Sequence, residues 1–252
     1  MPAQGREGNP GAPAEPGILS CRMSRSQPYD VMNAETVLIL ASGSWTEAGR
    51  LGALVASADY IIAANGGFSK ALAHGVRVDE VVGDLDSASD QSVCALDGPT
   101  APPVDLFPRD KDWTDLELAI DRALLRDPAK IVLVGAAGDR LDHTLTNLHL
   151  LEKGILAGVP MVLMAGDEDA HLVNDRIALD GAKIADRVSL VPVSDSVVVT
   201  THGLQFPLRS ERLCRPASRG VSNIVDALPV RICVEKGLLL VIHAAMENDE
   251  HG

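Results

Sequence analysis

Between Thr36 and Gly166 the chain alternates short, uninterrupted apolar runs with stretches of helical period, and this alternation restricts the fold more than any other feature. The apolar runs are TVLILAS, YIIAANGG, the start of DEVVGDLDS, KIVLVGAAGDR and VPMVLMAG. None shows the in–out alternation of a half-exposed strand, so each predicts a strand buried on both faces. Between them lie a predicted helix around Glu47 to Ser57 and the amphipathic TDLELAIDRALLR, with Leu116, Ile120 and Leu124 on one face. A further helix, LDHTLTNLHLLEKGILAG, carries Leu141, Leu145 and Leu148 as its expected core face. Strands of this kind, separated by such helices, are satisfied by a parallel sheet covered on both sides.

Past Asp167 the pattern changes. RIALDGAKIADRVSLVPVSDSVVVTTHGLQFPL and LPVRICVEKGLLLVI alternate like half-buried strands and hold no convincing helix. VEKGLLLVI predicts a hairpin turning at Lys236–Gly237. The expected fold is therefore α/β followed by all-β: an N-terminal Rossmann-like parallel sheet and a smaller C-terminal β-sandwich. The expected limits are a disordered extension at 1–34, the α/β domain at 35–165, the β-sandwich at 166–244 and a flexible tail at 245–252. The extension is rich in Pro, Gly and Ala and lacks the apolar core of a signal peptide, and Met23 and Met32 are alternative initiators within it.

Composition removes several classes of function. A net charge of −13 with no basic stripe argues against nucleic-acid binding. No apolar run nears membrane-spanning length. Cys21, Cys94, Cys214 and Cys233 are scattered without a CxxC pair, so neither a zinc site nor a disulfide framework is expected, and a reducing cytoplasm is the simplest location. An acidic protein that handles an anionic ligand needs local help from metal ions or backbone amides.

Ligands of open parallel sheets gather outside the carboxyl ends of the strands. ANGG, GDLDS and GAAGDR each follow an apolar run and are expected along one rim. Asn65-Gly66-Gly67 would let backbone approach a phosphate closely, although a plain strand-to-helix turn explains the glycines equally well. Asp84 and Asp86 stand one residue apart; two such carboxylates repel unless a cation neutralises them, and Mg²⁺ carrying a polyphosphate fits that need, while a turn fits the pair taken alone. In RDKDWTDLE, Thr114 and Glu117 read as a capping box and Asp115 suits the helix dipole, which leaves Lys111 and Asp112 without a structural account. In GAAGDRLDHTLTNLHLL, Asp142 shares a helix face with Thr146 and His149 near the same rim and is a better functional candidate than His143 or His149. In SRGVSNIVD, Ser218, Gly220, Ser222 and Asn223 read on chemistry alone as a polar turn.

Taken in order, these segments resemble the thiamine pyrophosphokinase (thiamin diphosphokinase) family. That family shows an Asp-Gly-Gly turn, G-D-[FL]-D-S, [KQ]-D-x-T-D-x-E, a G-x-x-G-x-R-x-D-H-like segment, G-L-x-[WY]-P-L and a Ser-Asn loop. Here they stand as NGG, GDLDS, KDWTDLE, GAAGDRLDH, GLQFPL and GVSN, from about Thr36 to Ile242. The resemblance implies transfer of the pyrophosphoryl group of ATP to the hydroxyl of thiamine, giving thiamine diphosphate and AMP. It implies a catalytic set of Asp84, Asp86, Asp112 and Asp115, with Asp84, Asp86 and Asp115 holding Mg²⁺. Asn65, Gly66, Gly67, Lys111 and Arg140 would meet nucleotide phosphate. Asp142 would face thiamine, and Ser222 and Asn223 would reach it across a homodimer interface. Two departures stand out: Asn65 where the family usually has Asp, and Ile224 where Glu often follows the Ser-Asn pair. Competing readings are a pyrophosphokinase acting on a hydroxymethylpterin, a DxD glycosyltransferase, which leaves KDWTD and GDRLDH unexplained, and a non-catalytic thiamine or nucleotide sensor, suggested by Asn65.

Overall fold

The computed structural model describes residues 35–85, 94–98, 100–138 and 140–246; the expectations for 1–34, for Asp86 and for the last residues of the tail lie outside them. Six strands, β1 (Thr36–Leu40), β2 (Tyr60–Ala64), β3 (Glu80–Gly83), β4 (Val104–Leu106), β5 (Lys130–Val134) and β6 (Met161–Ala165), pair in parallel in the order β6-β5-β1-β2-β3-β4. Their unbroken apolar runs have a direct cause. Alternate side chains enter two different cores: Val37, Ile39, Ile62 and Leu133 one face, Leu38, Leu40, Ile61 and Val132 the other.

Helices close both faces. Leu51 of α1 (Ala48–Ser57) and Phe68 and Ala71 of α2 (Gly67–Ala73) pack on one side. On the other lie α3 (Asp115–Leu124), α4 (Leu141–Leu150) and α5 (Glu152–Ala157), with Leu116 and Ile120 buried as expected. Thr114 caps α3, its hydroxyl accepting from the Glu117 amide at 3.1 Å. The Glu117 carboxylate does not complete the expected box; it pairs with Lys153 at 3.0 Å.

The helix at Leu141 bears out only part of its expected core face: Leu148 packs against the core, whereas Leu141 is 70% exposed and Leu145 51%, and Asn147 and Leu150 are the buried residues. Two stripes of that helix share an apolar period. The roll is chosen by Asn147, whose Nδ2 donates to the Ala136 carbonyl at 2.6 Å and satisfies a polar group that would otherwise be stranded at the strand end.

The second half of the chain is not a separate sandwich beside a purely parallel sheet. β7 (Glu168–Val173) pairs antiparallel with β6, and the sheet continues through β14 (Leu239–Ala244), β9 (Arg187–Pro192) and β12 (Asn223–Ile224) to make ten strands of mixed direction. The edge of β6 would leave a row of unpaired backbone groups, and the turn at Gly166 returns the chain to cover it. A second, antiparallel sheet of β8 (Arg176–Ala178), β10 (Ser196–His202), β11 (Glu211–Cys214) and β13 (Arg231–Lys236) runs in the order β11-β10-β13-β8. It packs Val197, Val199, Leu213 and Ile232 against Val188, Leu190, Leu239 and Val241 of the large sheet. The expected hairpin at Lys236–Gly237 is also corrected: β13 and β14 belong to different sheets and do not pair, because the turn carries the chain across this sandwich. Among the described residues no helix is long and apolar enough to cross a membrane.

Candidate active site

From β1 the chain steps outward through β2, β3 and β4 on one side, whereas β5 and β6 lie on the other. Loops leaving β1 and β5 therefore diverge, and in such sheets the crevice between them is where ligands bind. A cleft of about 500 Å³ opens there, lined by Ala41–Gly43 after β1, Asn65 and Gly66 after β2, Gly135–Gly138 after β5, and residues of the approach to α3 and of α4. The two loops brace each other: Gly43 N donates to Gly135 O at 2.8 Å and Ser44 N to Ala137 O at 2.9 Å. Lys70 Nζ adds a bond to the Gly43 carbonyl at 2.6 Å.

At one end of the cleft two carboxylates meet. Asn65 Nδ2 donates to Asp84 Oδ1 at 3.0 Å and to Asp115 Oδ2 at 2.9 Å. Lys111 Nζ lies 3.0 Å from Asp115 Oδ1 and 3.4 Å from Asp84 Oδ2. Two carboxylates from distant segments, Asp84 and Asp115, are thus joined by one amide and one ammonium. Burial acts to lower the Lys111 pKa, but hydrogen bonds and charge from Asp115 and then Asp84 outweigh it, so the pKa is raised and the side chain stays protonated. Asp115 Oδ1 is buried and, despite the nearby ammonium, makes no hydrogen bond of good geometry.

Two positions here demand glycine, for different reasons. At Gly83, φ is +148°, and a Cβ would lie 3.0 Å from the Asn65 Cβ and 3.2 Å from Asp115 Oδ1. At Gly67 a Cβ would fall 2.0 Å from the Leu40 carbonyl oxygen, so this glycine seats α2 against β1 and does not line the cleft. The conformational demand recognised in NGG is real at Gly67, but it serves packing.

The other expected site residues divide. Arg140 lines the cleft and pairs with Asp142 at 2.6 Å, both side chains lying about two-thirds in solvent. The Arg140 hydrogen bond holds the Asp142 carboxyl below the usual carboxylate range. Asp112 is exposed between Lys111 and Trp113. Ser222 is exposed, its amide donating to Ser189 Oγ at 3.0 Å. Asn223 is buried and spends its amide on the backbone of Phe206: Oδ1 accepts from Phe206 N at 3.0 Å and Nδ2 donates to Phe206 O at 2.8 Å. It thereby holds an exposed phenylalanine in place. Among the described residues no group of three metal-ligating side chains forms, and Asp86 lies outside them.

Sequence reasoning passed over Ala41–Gly43, Arg109, Trp113, Thr144 and Asn147, all of which line the cleft. The small residues ending TVLILAS were a usable signal, since they too follow a strand at its carboxyl end.

Two family descriptions match the chain: "Thiamin pyrophosphokinase, catalytic domain" over residues 51–163, and "Thiamin pyrophosphokinase, vitamin B1 binding domain" over residues 176–239. The chain belongs to the thiamin pyrophosphokinase family. Its enzyme class is accordingly that of a thiamine diphosphokinase. A thiamine pyrophosphokinase of Bacillus subtilis (strain 168) is 28% identical over 169 residues, covering 66% of this chain and 78% of that protein. A thiamine pyrophosphokinase 1 of Oryza sativa subsp. japonica is 26% identical over 144 residues, covering 53% of this chain and 54% of that one. The fold is that of solved thiamine pyrophosphokinases. The crystal structure from Bacillus subtilis aligns with a TM-score of 0.75 at 24% identity over 84% of this chain and 99% of that one. The thiamin pyrophosphokinase from Candida albicans aligns at 0.72 and 14% identity, over 84% and 89%.

Proposed function

We propose that this chain transfers the pyrophosphoryl group of ATP to thiamine at the cleft between the loops of β1 and β5, with Asp84, Asp115 and Lys111 at the point of transfer. The observation that carries the assignment of the site is the meeting of Asn65, Asp84 and the Lys111–Asp115 pair, drawn from three separate segments, at a strand-end crevice. The hydroxyl oxygen of thiamine bonds to the β-phosphorus, the bond from that phosphorus to the oxygen shared with the α-phosphate breaks, AMP leaves with that oxygen, and the hydroxyl proton is released. Such a displacement asks the protein for positioning and charge neutralisation more than for covalent chemistry.

The donor set fits a hard divalent cation: two converging carboxylates, one with a buried oxygen short of a good hydrogen bond. Asp84, Asp115 and, by the resemblance, Asp86 would hold Mg²⁺, which when bound neutralises charge on the triphosphate. Lys111 meets phosphate from the same end. The Ala41–Gly43 and Gly135–Gly138 segments bring backbone close to the nucleotide, and Arg140 stands at its edge. Asp112 orients the attacking hydroxyl or takes its proton; an Asp112→Asn variant with unchanged turnover at every pH removes it from that role.

Residues 35–165 would hold ATP and 166–244 thiamine. Every described residue lining the cleft falls between Ala41 and Asn147, whereas the vitamin B1 binding match spans 176–239. This supports a homodimer in which a second copy brings its Ser222 loop and Phe206 to the cleft. It also supports reading Asn223 as the holder of Phe206, in place of the direct ligand contact expected for it. The scattered cysteines support a cytoplasmic site of action. The test is AMP release from ATP and Mg²⁺, run side by side with thiamine and a hydroxymethylpterin. Thiamine-dependent AMP is expected; AMP with the pterin alone, or thiamine binding without AMP, overturns the proposal.

A further inference from the structure

Trp113 lies on the cleft wall, and its side chain is 54% exposed. It precedes the Thr114 cap of α3, a position from which an apolar side chain commonly staples onto the fourth residue of the helix, here Leu118. Leu118 does pack on the core, yet Trp113 lines the cleft with about half of its surface open to solvent. The local role in the fold therefore leaves much of this side chain unused.

Its place relative to the transfer point is fixed by the chain. Trp113 is two residues from Lys111 and two from Asp115, whose charged ends meet at 3.0 Å, so its backbone lies within roughly 7 Å of each of theirs. In ATP the purine is separated from the β-phosphorus by the α-phosphate and the ribose. In thiamine only two carbons separate the reacting oxygen from the thiazolium ring. A flat side chain rooted beside the carboxylates is thus placed for the acceptor's ring and not for the purine.

The chemistry agrees. A thiazolium is permanently positive and must enter a cleft whose wall carries Lys111, Arg109 and Arg140 and one carboxylate, Asp115, which Lys111 already pairs. A carboxylate could attract it but would repel the triphosphate beside it. The face of an indole attracts a cation without adding net negative charge.

We propose that Trp113 is the platform for the cationic ring of the acceptor, its indole face set against the thiazolium while the hydroxyethyl arm reaches the carboxylate–lysine cluster. This rests on the reading above that the acceptor is thiamine. In steady-state AMP release by the full chain, Trp113→Leu raises KM for thiamine about tenfold and leaves KM for ATP within about twofold, and Trp113→Phe recovers most of the loss. A second readout does not depend on turnover. The chain has two tryptophans, Trp45 and Trp113, so thiamine added without ATP quenches indole emission in the wild type but not in Trp113→Phe, where Trp45 remains as the internal control. An analogue whose ring nitrogen is replaced by carbon, and which is therefore neutral, has the same KM in wild type and Trp113→Leu within about twofold. A change in KM for ATP in place of thiamine, an unmoved KM for thiamine, or quenching that persists in Trp113→Phe overturns the proposal. If the wild type makes no AMP with thiamine, the proposed reaction fails, while the quenching comparison still decides for or against Trp113 as the platform.

Discussion

Replacing Lys111 with Met removes the ammonium between Asp84 and Asp115 and keeps most of the side-chain volume. The lysine side chain is 9% exposed, and its contacts stand at 3.0 and 3.4 Å. At an effective dielectric of about 20 each contact is worth roughly 5 kcal/mol of gross attraction. Desolvation of three charged groups, several kcal/mol per ion, offsets much of that sum. Removing one partner of a buried ion pair costs about 3–5 kcal/mol, because charge is left behind without compensation. Here the Asn65 amide still bonds one oxygen of each acid, so the lower end, about 3 kcal/mol, is expected. Urea unfolding at neutral pH in the presence of a chelator measures it. Mg²⁺ without nucleotide restores more stability to the variant than to the wild type, since no ammonium competes for the two acids. A deficit under about 1 kcal/mol, or one indifferent to Mg²⁺, refutes the view that Lys111 is the counter-ion of this cluster.

Three further perturbations test other links. Asn65→Asp replaces two amide bonds with a third negative charge and costs the metal-free protein about 2–4 kcal/mol, a loss that Mg²⁺ reduces; equal stability of the two proteins in chelator contradicts the bridging role. Gly67→Ala drives a Cβ against the Leu40 carbonyl and costs about 3 kcal/mol or more, seen as lost soluble yield or a melting temperature lowered by several degrees; an unchanged melt contradicts the close approach. His171 has its pKa pushed down to about 4 by burial, with Lys130 and His243 adding to the effect. Its unfolded pKa is near 6.5, so between those values the unfolded chain binds the proton and the folded one does not, and stability falls as pH drops through that window by up to roughly 3 kcal/mol. His171→Gln flattens that part of the urea-midpoint curve; identical slopes for the two proteins would falsify this account.

The parallel strands, the covering helices, the Thr114 cap and the rim on which NGG and GAAGDR meet were legible in the residues because each depends on local physics. Apolar period, capping chemistry and the rule of strand ends act over a turn or a strand length, and a chain carries them in plain order. Asp84 and Asp115 were readable as candidates for the same reason.

Other features needed distant segments to meet. The leucines of α4 had the right spacing for a core face, but the bond of Asn147 to the Ala136 carbonyl rolls the helix so that Leu148 packs inward while Leu141 and Leu145 are exposed, and no spacing records that bond. Strand β14 had the pattern of a hairpin partner, yet its backbone groups are satisfied by β7 and β9, because a strand pairs with whichever open edge the packed chain presents. Asn223 read on chemistry as part of a polar turn and by resemblance as a ligand group; its bonds to Phe206 join positions 17 apart, which no local pattern records. Which side chains could bind was thus written in their order along the chain; which of them packing takes up, as with Asn147 and Asn223, and which keeps a buried oxygen without a well-formed hydrogen bond, as Asp115 does, was decided only by the tertiary structure.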